Sequence, residues 1–358
     1  MQLWYFFFTF VDSYSDHKLI TFYPKMKIQL PRFTAILVLL SLSYAIFAQE
    51  GIKPPKLSGY AQTQYTYSDD GTNTFQIRRA RIDLKGDLGS KIDYRFQGDL
   101  ASSPKLVDAY VRFKLCPYFN IQLGEQKVVF SLENMMGPLT WETIELAQGI
   151  SKLSGYSDIS GEGSNGRDIG ISAYGGFLKK EGYNIIDYSV GIYNGNGINL
   201  KDNNSHKNFA GKLEIHPIKP ITLAASVYLG KINGALNTDE LMPKNRYAFS
   251  ARYDDKKLIV RAEYLRGKTN ISGTDVTTTD AYYVFLGYTF KGGIQPLFRF
   301  DSYRKDVTAA NGRSNHYVIG INYKPWKYTI VQLNYTIKDV QSAGKLVNQI
   351  AAMVTFAF

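Results

Sequence analysis

The residues best equipped for chemistry in this sequence are regularly spaced arginines and clustered acids. Arg79, Arg81, Arg95 and Arg112 fall on three successive runs in which polar and apolar residues alternate, and Lys127 follows on the next. A guanidinium keeps its proton at any ordinary pH and presents several donors in a fixed fork. Such a cluster holds or steers anions; it does not shuttle protons. Downstream, residues 131–167 carry Glu133, Glu142, Glu145, Asp158 and Glu162 against Lys152 and Arg167. If that stretch folds in to face the arginines across a narrow gap, opposed charges set up a transverse field. At about 4 Å a unit pair is worth roughly 1 kcal/mol in water and about 4 at an effective dielectric of about 20. That is enough to orient and sort small ions without trapping them. The alternative leaves the stretch outside, with each inward charge merely tied to a neighbour.

Other chemistries find little support. A single cysteine, Cys116 beside Pro117, rules out an internal disulfide framework and a cysteine-built zinc site. The histidines lie far apart, so no histidine metal cluster and no cofactor is expected. A hydrolase needs a nucleophile with a positioned base. His206 in a polar loop, His216 before Pro217 and His316 at the start of a run read as ordinary loop or lumen residues. An adhesive role for polar loops such as 201–204 and 270–273 is the other rival, without a ligand motif to carry it. Nucleic acid is not an expected partner, because the positive charge is spread over many runs.

The elements that must position these residues begin after a leader. Lys27 and Arg32 precede an uncharged run from Phe33 to Ala48, the pattern of a secretory signal with cleavage expected after Ala48. Residues 26–48 are therefore read as signal peptide. Met26 offers an alternative start that would make residues 1–25 a misassigned upstream stretch. Residues 1–48 hold four of the 42 basic and two of the 31 acidic residues, leaving a net charge of +9 on 49–358.

From Leu57 onward one pattern repeats: alternation for about ten residues, then a turn. Period two means strand, since successive side chains point to opposite faces. In one run Val107, Ala109, Val111, Phe113 and Leu115 alternate with Asp108, Tyr110, Arg112 and Lys114; in another Val331, Leu333, Tyr335 and Ile337 alternate with Gln332, Asn334, Thr336 and Lys338. Sixteen runs are predicted: 57–67, 75–86, 91–101, 105–116, 118–130, 168–176, 183–193, 207–216, 221–230, 246–254, 257–266, 281–290, 294–304, 315–324, 327–338 and 348–358. Connections after even runs are tight, as at Cys116-Pro117, Asp254-Asp255-Lys256 and Lys324-Pro325-Trp326, with a slightly longer link through 179–182. Those after odd runs include the long stretches 131–167, 194–206, 231–245 and 267–280. An even strand count, short turns on one side and long loops on the other are the features of an outer-membrane barrel. A soluble sandwich would alternate too, but no linker or composition break divides the chain. Tyr65, Tyr67, Tyr247, Tyr253, Tyr317 and Tyr323 crowd the ends of apolar rows, where amphipathic rings suit the lipid–water boundaries. Alternation also runs to the terminal Phe358, like the closing strand of bacterial outer-membrane barrels.

The expected fold is thus all-β: a 16-stranded antiparallel transmembrane β-barrel over 49–358, with short periplasmic turns and longer extracellular loops. Hydrocarbon satisfies no backbone polar group, so the sheet must close. At this size the interior is wider than side chains can fill, which makes a water-filled channel. In the second run Ala80, Ile82 and Leu84 face lipid, which turns Arg79, Arg81, Asp83 and Lys85 inward. Phe75 and Ile77 have the opposite parity, so a bulge is expected near Arg78. Read this way throughout, the lumen wall is polar and of mixed charge, with only a slight basic excess.

Several stretches resemble the phosphate-selective porin O and P family. They are Phe75 to Gly86 (FQIRRARIDLKG), Asp108-Ala109-Tyr110-Val111, Gly124-Glu125-Gln126-Lys127 with Phe130-Ser131-Leu132-Glu133, Arg167-Asp168-Ile169-Gly170, and Tyr193 to Gly197. The resemblance covers about 55–358. It implies a trimeric sixteen-stranded porin of the bacterial outer membrane, in contact with outer-membrane lipid, whose loop after the fifth strand forms a constriction. It further implies that Arg79, Arg81 and Lys127, which sit in matching motifs, guide anions toward a lysine-rich narrow point. This chain departs from the pattern in one respect, because Lys152 is the only lysine within an otherwise acidic loop. The expected function is passive diffusion of small hydrophilic solutes with a mild anion preference, phosphate being one candidate.

Overall fold

The computed structural model describes residues 54–233, 240–270 and 276–358. The signal peptide expected at 26–48 and the upstream stretch 1–25 lie outside the described residues. The strands are β1 Lys56–Ser68, β2 Asn73–Leu88, β3 Ile92–Asp99, β4 Lys105–Cys116, β5 Phe119–Lys127, β6 Arg167–Lys180, β7 Tyr183–Tyr193 and β8 Asn208–Ile215. They continue with β9 Ile221–Asn233, β10 Leu241–Asp254, β11 Leu258–Asn270, β12 Val276–Tyr288, β13 Ile294–Arg304, β14 Arg313–Trp326, β15 Thr329–Val340 and β16 Lys345–Ala357. Each pairs antiparallel with its sequence neighbours, and β1 pairs with β16 in the register Tyr60↔Ala357, so the sheet is a closed barrel. Among the described residues no helix is long and apolar enough to cross a membrane. The strands do the crossing.

Alternation sorts the two faces. Outward positions are large and apolar, with Phe249 62% exposed and Ile319 58% exposed, as a lipid-facing belt requires. Inward positions are polar: Gln62, Gln64 and Thr66 on β1, Gln332 and Asn334 on β15. The bulge expected near Arg78 is present. Gln62 pairs with Arg79 and Thr63 with Ile77, which leaves Arg78 as the extra residue. The link after β6 is tighter than the sequence suggested. That strand continues to Lys180, and Glu181 and Gly182 make a two-residue turn with φ of 44° and 84°. Positive φ at both turn positions matches the twist of a hairpin. β5, in contrast, ends at Lys127 rather than at Phe130, because Val129 and Phe130 turn into the barrel.

The segment 128–166 folds inward. It contains two short helices, α1 (Leu132–Met135) and α2 (Gln148–Leu153). Val129, Phe130, Ala147, Ile150 and Leu153 form an apolar cluster with inward residues of the wall, including Tyr193, Leu265, Tyr283 and Phe285. Full burial of a side chain such as Ile150 or Leu153 is worth roughly 1.5–3 kcal/mol. Close approach explains Gly149: a Cβ there would lie 2.6 Å from the Cβ of Ala281. The loop therefore has its own small core on the wall of β11–β13, and this seat leaves the opposite wall to line open space.

Candidate functional site in the barrel lumen

The open space is a cavity of about 630 Å³ on the short-turn side, between the wall of β2–β7 and the loop tip at Met135–Leu139. Arg81, Lys85, Arg95, Arg112, Lys127 and Arg167 line it, against only Asp83 and Asp108. Four of the five cations singled out from the sequence therefore share one chamber. Their registers explain it. Arg95 lies opposite Lys85 on β2 and Tyr110 on β4, and Arg112 lies opposite Asp93. Register partners share one face of the sheet.

Acids on neighbouring strands orient the arginines. Arg81 Nε donates to Asp99 at 2.9 Å. Arg95 donates to both oxygens of Asp83, at 2.9 and 2.8 Å, and its other terminal nitrogen is 2.8 Å from Asp108. Arg112 donates to Asp93 at 2.9 Å, and Arg167 to Asp108 at 2.7 Å. Asp108 thus ties Arg95 to Arg167. Lys127 differs: its ammonium donates to the carbonyls of Asn134 (2.6 Å) and Met136. Backbone carbonyls of the loop thus orient the lysine. Arg79 sits apart from the chamber. It donates to Gln62 at 2.8 Å, and its guanidinium lies 5.0 Å from the centre of the Trp141 ring, within cation–π range.

The loop acids reach other walls. Glu142 pairs with Arg261 on β11, at 2.9 and 3.3 Å. Glu145 pairs with Arg78, whose second terminal nitrogen is 2.8 Å from the carboxylate. Glu133 is buried, and its backbone N–H donates to Glu263 at 2.8 Å. Desolvation pushes the Glu133 carboxyl above its ordinary pKa, opposed by Arg261 and Arg299. For Asp158, desolvation acts in the same sense, but Arg246 and Lys244 outweigh it and hold the carboxyl low. Glu142, Glu145 and Asp158 are anchors between loop and wall, so among the described residues no row of free carboxylates faces the chamber arginines.

Further anchors fix the partition. Arg299 donates to the carbonyl of Leu146 at 3.4 Å, Asn334 accepts from the Ile144 N–H at 2.8 Å, and Gln332 donates to the carbonyls of Trp141 and Glu142 at 3.2 and 3.0 Å. Beyond it, on the long-loop side, lies a second cavity of about 320 Å³ lined by Lys152, Arg299, His316 and Lys338, with Glu145 the acid at its edge. Arg78 is the functional residue that parity missed. The bulge turns both Arg78 and Arg79 inward, and the parity break between Ile77 and Ala80 was its signal in the sequence. Among the described residues no group of three or more His, Cys, Asp or Glu is placed to hold a metal ion.

A sequence profile described as phosphate-selective porin O and P matches residues 58–356. No curated protein matches the chain in sequence. Among solved structures, the anion-selective porin from Comamonas acidovorans is similar with a TM-score of 0.66 at 14% identity, over 85% of this chain and 99% of that one. Salmonella typhi OmpF in complex with daunomycin has a TM-score of 0.63 at 14% identity, over 87% and 99%. The trimer form of OmpT, an outer-membrane protein of Vibrio cholerae, has 0.62 at 12%, over 85% and 99%. At such identities the likeness is one of fold, and each is a closed barrel relative rather than a source of residue roles.

Proposed function

Because the chain belongs to the phosphate-selective porin O and P family, we propose that its lumen passes small hydrophilic solutes with a preference for anions set by the short-turn chamber. The chain is an outer-membrane porin, and its place is the bacterial outer membrane. The observation that carries the anion preference is the chamber lining, six basic residues against two acidic ones. Low-dielectric walls lined by one sign of charge concentrate the opposite ion. The acidic partners keep each guanidinium oriented, and the carbonyls of Asn134 and Met136 fix the Lys127 side chain against the loop. The anion-selective Comamonas porin is a fold relative with that behaviour. Phosphate is a candidate solute through the family alone.

A trimer is part of the same reading, supported by the family and by the trimer form of the Vibrio relative. A channel role also suits the histidines. His216 is held 3.2 Å from Asp187 and 3.1 Å from Thr222, which ties β7, β8 and β9 together at one rim. His316 stands 3.9 Å from Asp301 on another wall. Planar-bilayer recording in a potassium chloride gradient tests the proposal. The reversal potential should report chloride as more permeant than potassium; a cation-selective potential overturns it.

A further inference from the structure

We propose that the outward face of β11–β14, at its long-loop end, binds a phosphate-bearing lipid headgroup of the outer leaflet. Four cations stand there. Arg266 pairs in register with Asp280, Asp280 with Arg304, and Arg304 with Arg313, so these three arginines and Asp280 share one face over four adjacent strands. Lys268 lies two residues beyond Arg266, on the same side of β11. This face is the outer one: Tyr264 and Tyr282, next along β11 and β12, are exposed apolar-belt residues.

The balance of charge on that face is uneven. Asp280 is shared by Arg304 (3.0 Å) and Arg313 (3.6 Å), one carboxylate between two guanidiniums. Arg266 and Lys268 are exposed and have no acidic partner among the described residues. Directly beneath the cations lies an aromatic cluster. Tyr282 and Phe300 meet edge to face at 6.0 Å, Phe300 and Tyr317 at 5.0 Å, and the Arg313 guanidinium lies 5.8 Å from the Tyr282 ring centre. Rings of this kind mark the lipid–water boundary. The cations therefore stand at headgroup level, on the side of the long loops, where an anionic headgroup is within reach. Successive strands are about 4.8 Å apart, so the patch is wide enough for a headgroup with more than one phosphate. The chemistry fits a lipid rather than a free ion, because the same surface offers apolar rings to acyl chains below and cations to phosphate above. The site lies outside the lumen and is independent of the permeation proposal.

Native mass spectrometry of the full porin, released from phosphatidylcholine nanodiscs doped with bis-phosphorylated lipid A or with its dephosphorylated form, tests this. The wild type should retain the phosphorylated lipid selectively. Arg266→Gln with Lys268→Gln touches two exposed side chains and should lower that retention about fivefold per charge removed. Asp280→Asn should raise it, an effect of opposite sign that mere misfolding cannot produce. Excess inorganic phosphate should not displace the lipid. Equal retention of the two lipid forms, unchanged retention in the double variant, or displacement by free phosphate overturns the proposal. So does a loss of oligomer with no loss of lipid, which would give this face to a second copy of the chain.

Discussion

Glu142 of the inserted loop and Arg261 of β11 form a two-point ion pair in which both side chains are almost completely buried. The pair fixes the middle of the loop to the wall opposite the basic chamber. Arg261 is further held by the Tyr283 hydroxyl at 2.9 Å and lies 5.1 Å from the Phe285 ring centre. Around it, the apolar seat under Ile150 and Leu153 and the carbonyl contacts of Arg299 complete the attachment. The apolar seat and this buried pair thus fix the loop to one wall, while Arg78 and Lys127 tether it at points on the other.

Removing one partner of a buried pair leaves the other charge uncompensated and costs about 3–5 kcal/mol. Glu142→Gln should therefore loosen the loop. Single-channel recording should show a larger, noisier current, while the barrel still migrates as a folded band in unheated gels. An unchanged current with an intact barrel would mean that the pair does not hold the passage.

Within the chamber, substitutions of opposite charge should act in opposite directions. A unit charge about 10 Å from a permeating ion in water changes its energy by roughly 0.4 kcal/mol, about twofold in relative permeability. Arg112→Gln, which removes a guanidinium from the chamber lining, should lower the chloride-to-potassium ratio by about that factor. Asp83→Asn, which frees Lys85 and Arg95 from a shared carboxylate, should raise it. Reversal potentials that move the same way for both variants would show that chamber charge does not govern selectivity.

The strands were legible because lipid on one side and water on the other impose period two on every crossing segment. Their upper ends were not, since both faces are wet beyond the bilayer. β10 starts at Leu241 and β12 at Val276, within polar sequence that carries no alternation. Arg81, Arg95, Arg112 and Lys127 line one chamber, on four consecutive strands. The partners of the loop acids could not be read, because a loop's path is set by where its own apolar residues find a seat. A signal for that seat did exist. Val284-Phe285-Leu286 on β12 is apolar on both faces, and Leu265 breaks the inward polarity of β11; both lie under the loop.

Ionic strength should move selectivity as well. The Debye length falls from about 10 Å at 0.1 M salt to about 3 Å at 1 M. At low salt the whole chamber wall acts on a passing ion, and at high salt only groups in contact do. The anion preference should therefore shrink steadily as salt rises, read as reversal potentials at a fixed concentration ratio. A preference independent of salt would point to a contact site rather than a field.

Acid should act on the Glu145 anchor later than on an ordinary carboxylate. Crowding by protein opposes the charge on Glu145, but the Arg78 guanidinium and its hydrogen bonds outweigh it and hold the carboxyl at about 2, below its usual 4.5. A depressed pKa means that the pair stabilises the attached loop fully above the ordinary value. That contribution is lost only as pH falls below it toward the depressed value. The contribution of this pair to conductance should hence stay level from neutral pH down to about pH 5 and change only in stronger acid. Glu145→Gln, which removes the charge at every pH, should show the low-pH conductance already at neutral pH. A conductance step centred on the ordinary carboxylate pKa in the wild type, absent from Glu145→Gln, would show that Arg78 does not hold this carboxylate in its ionised form.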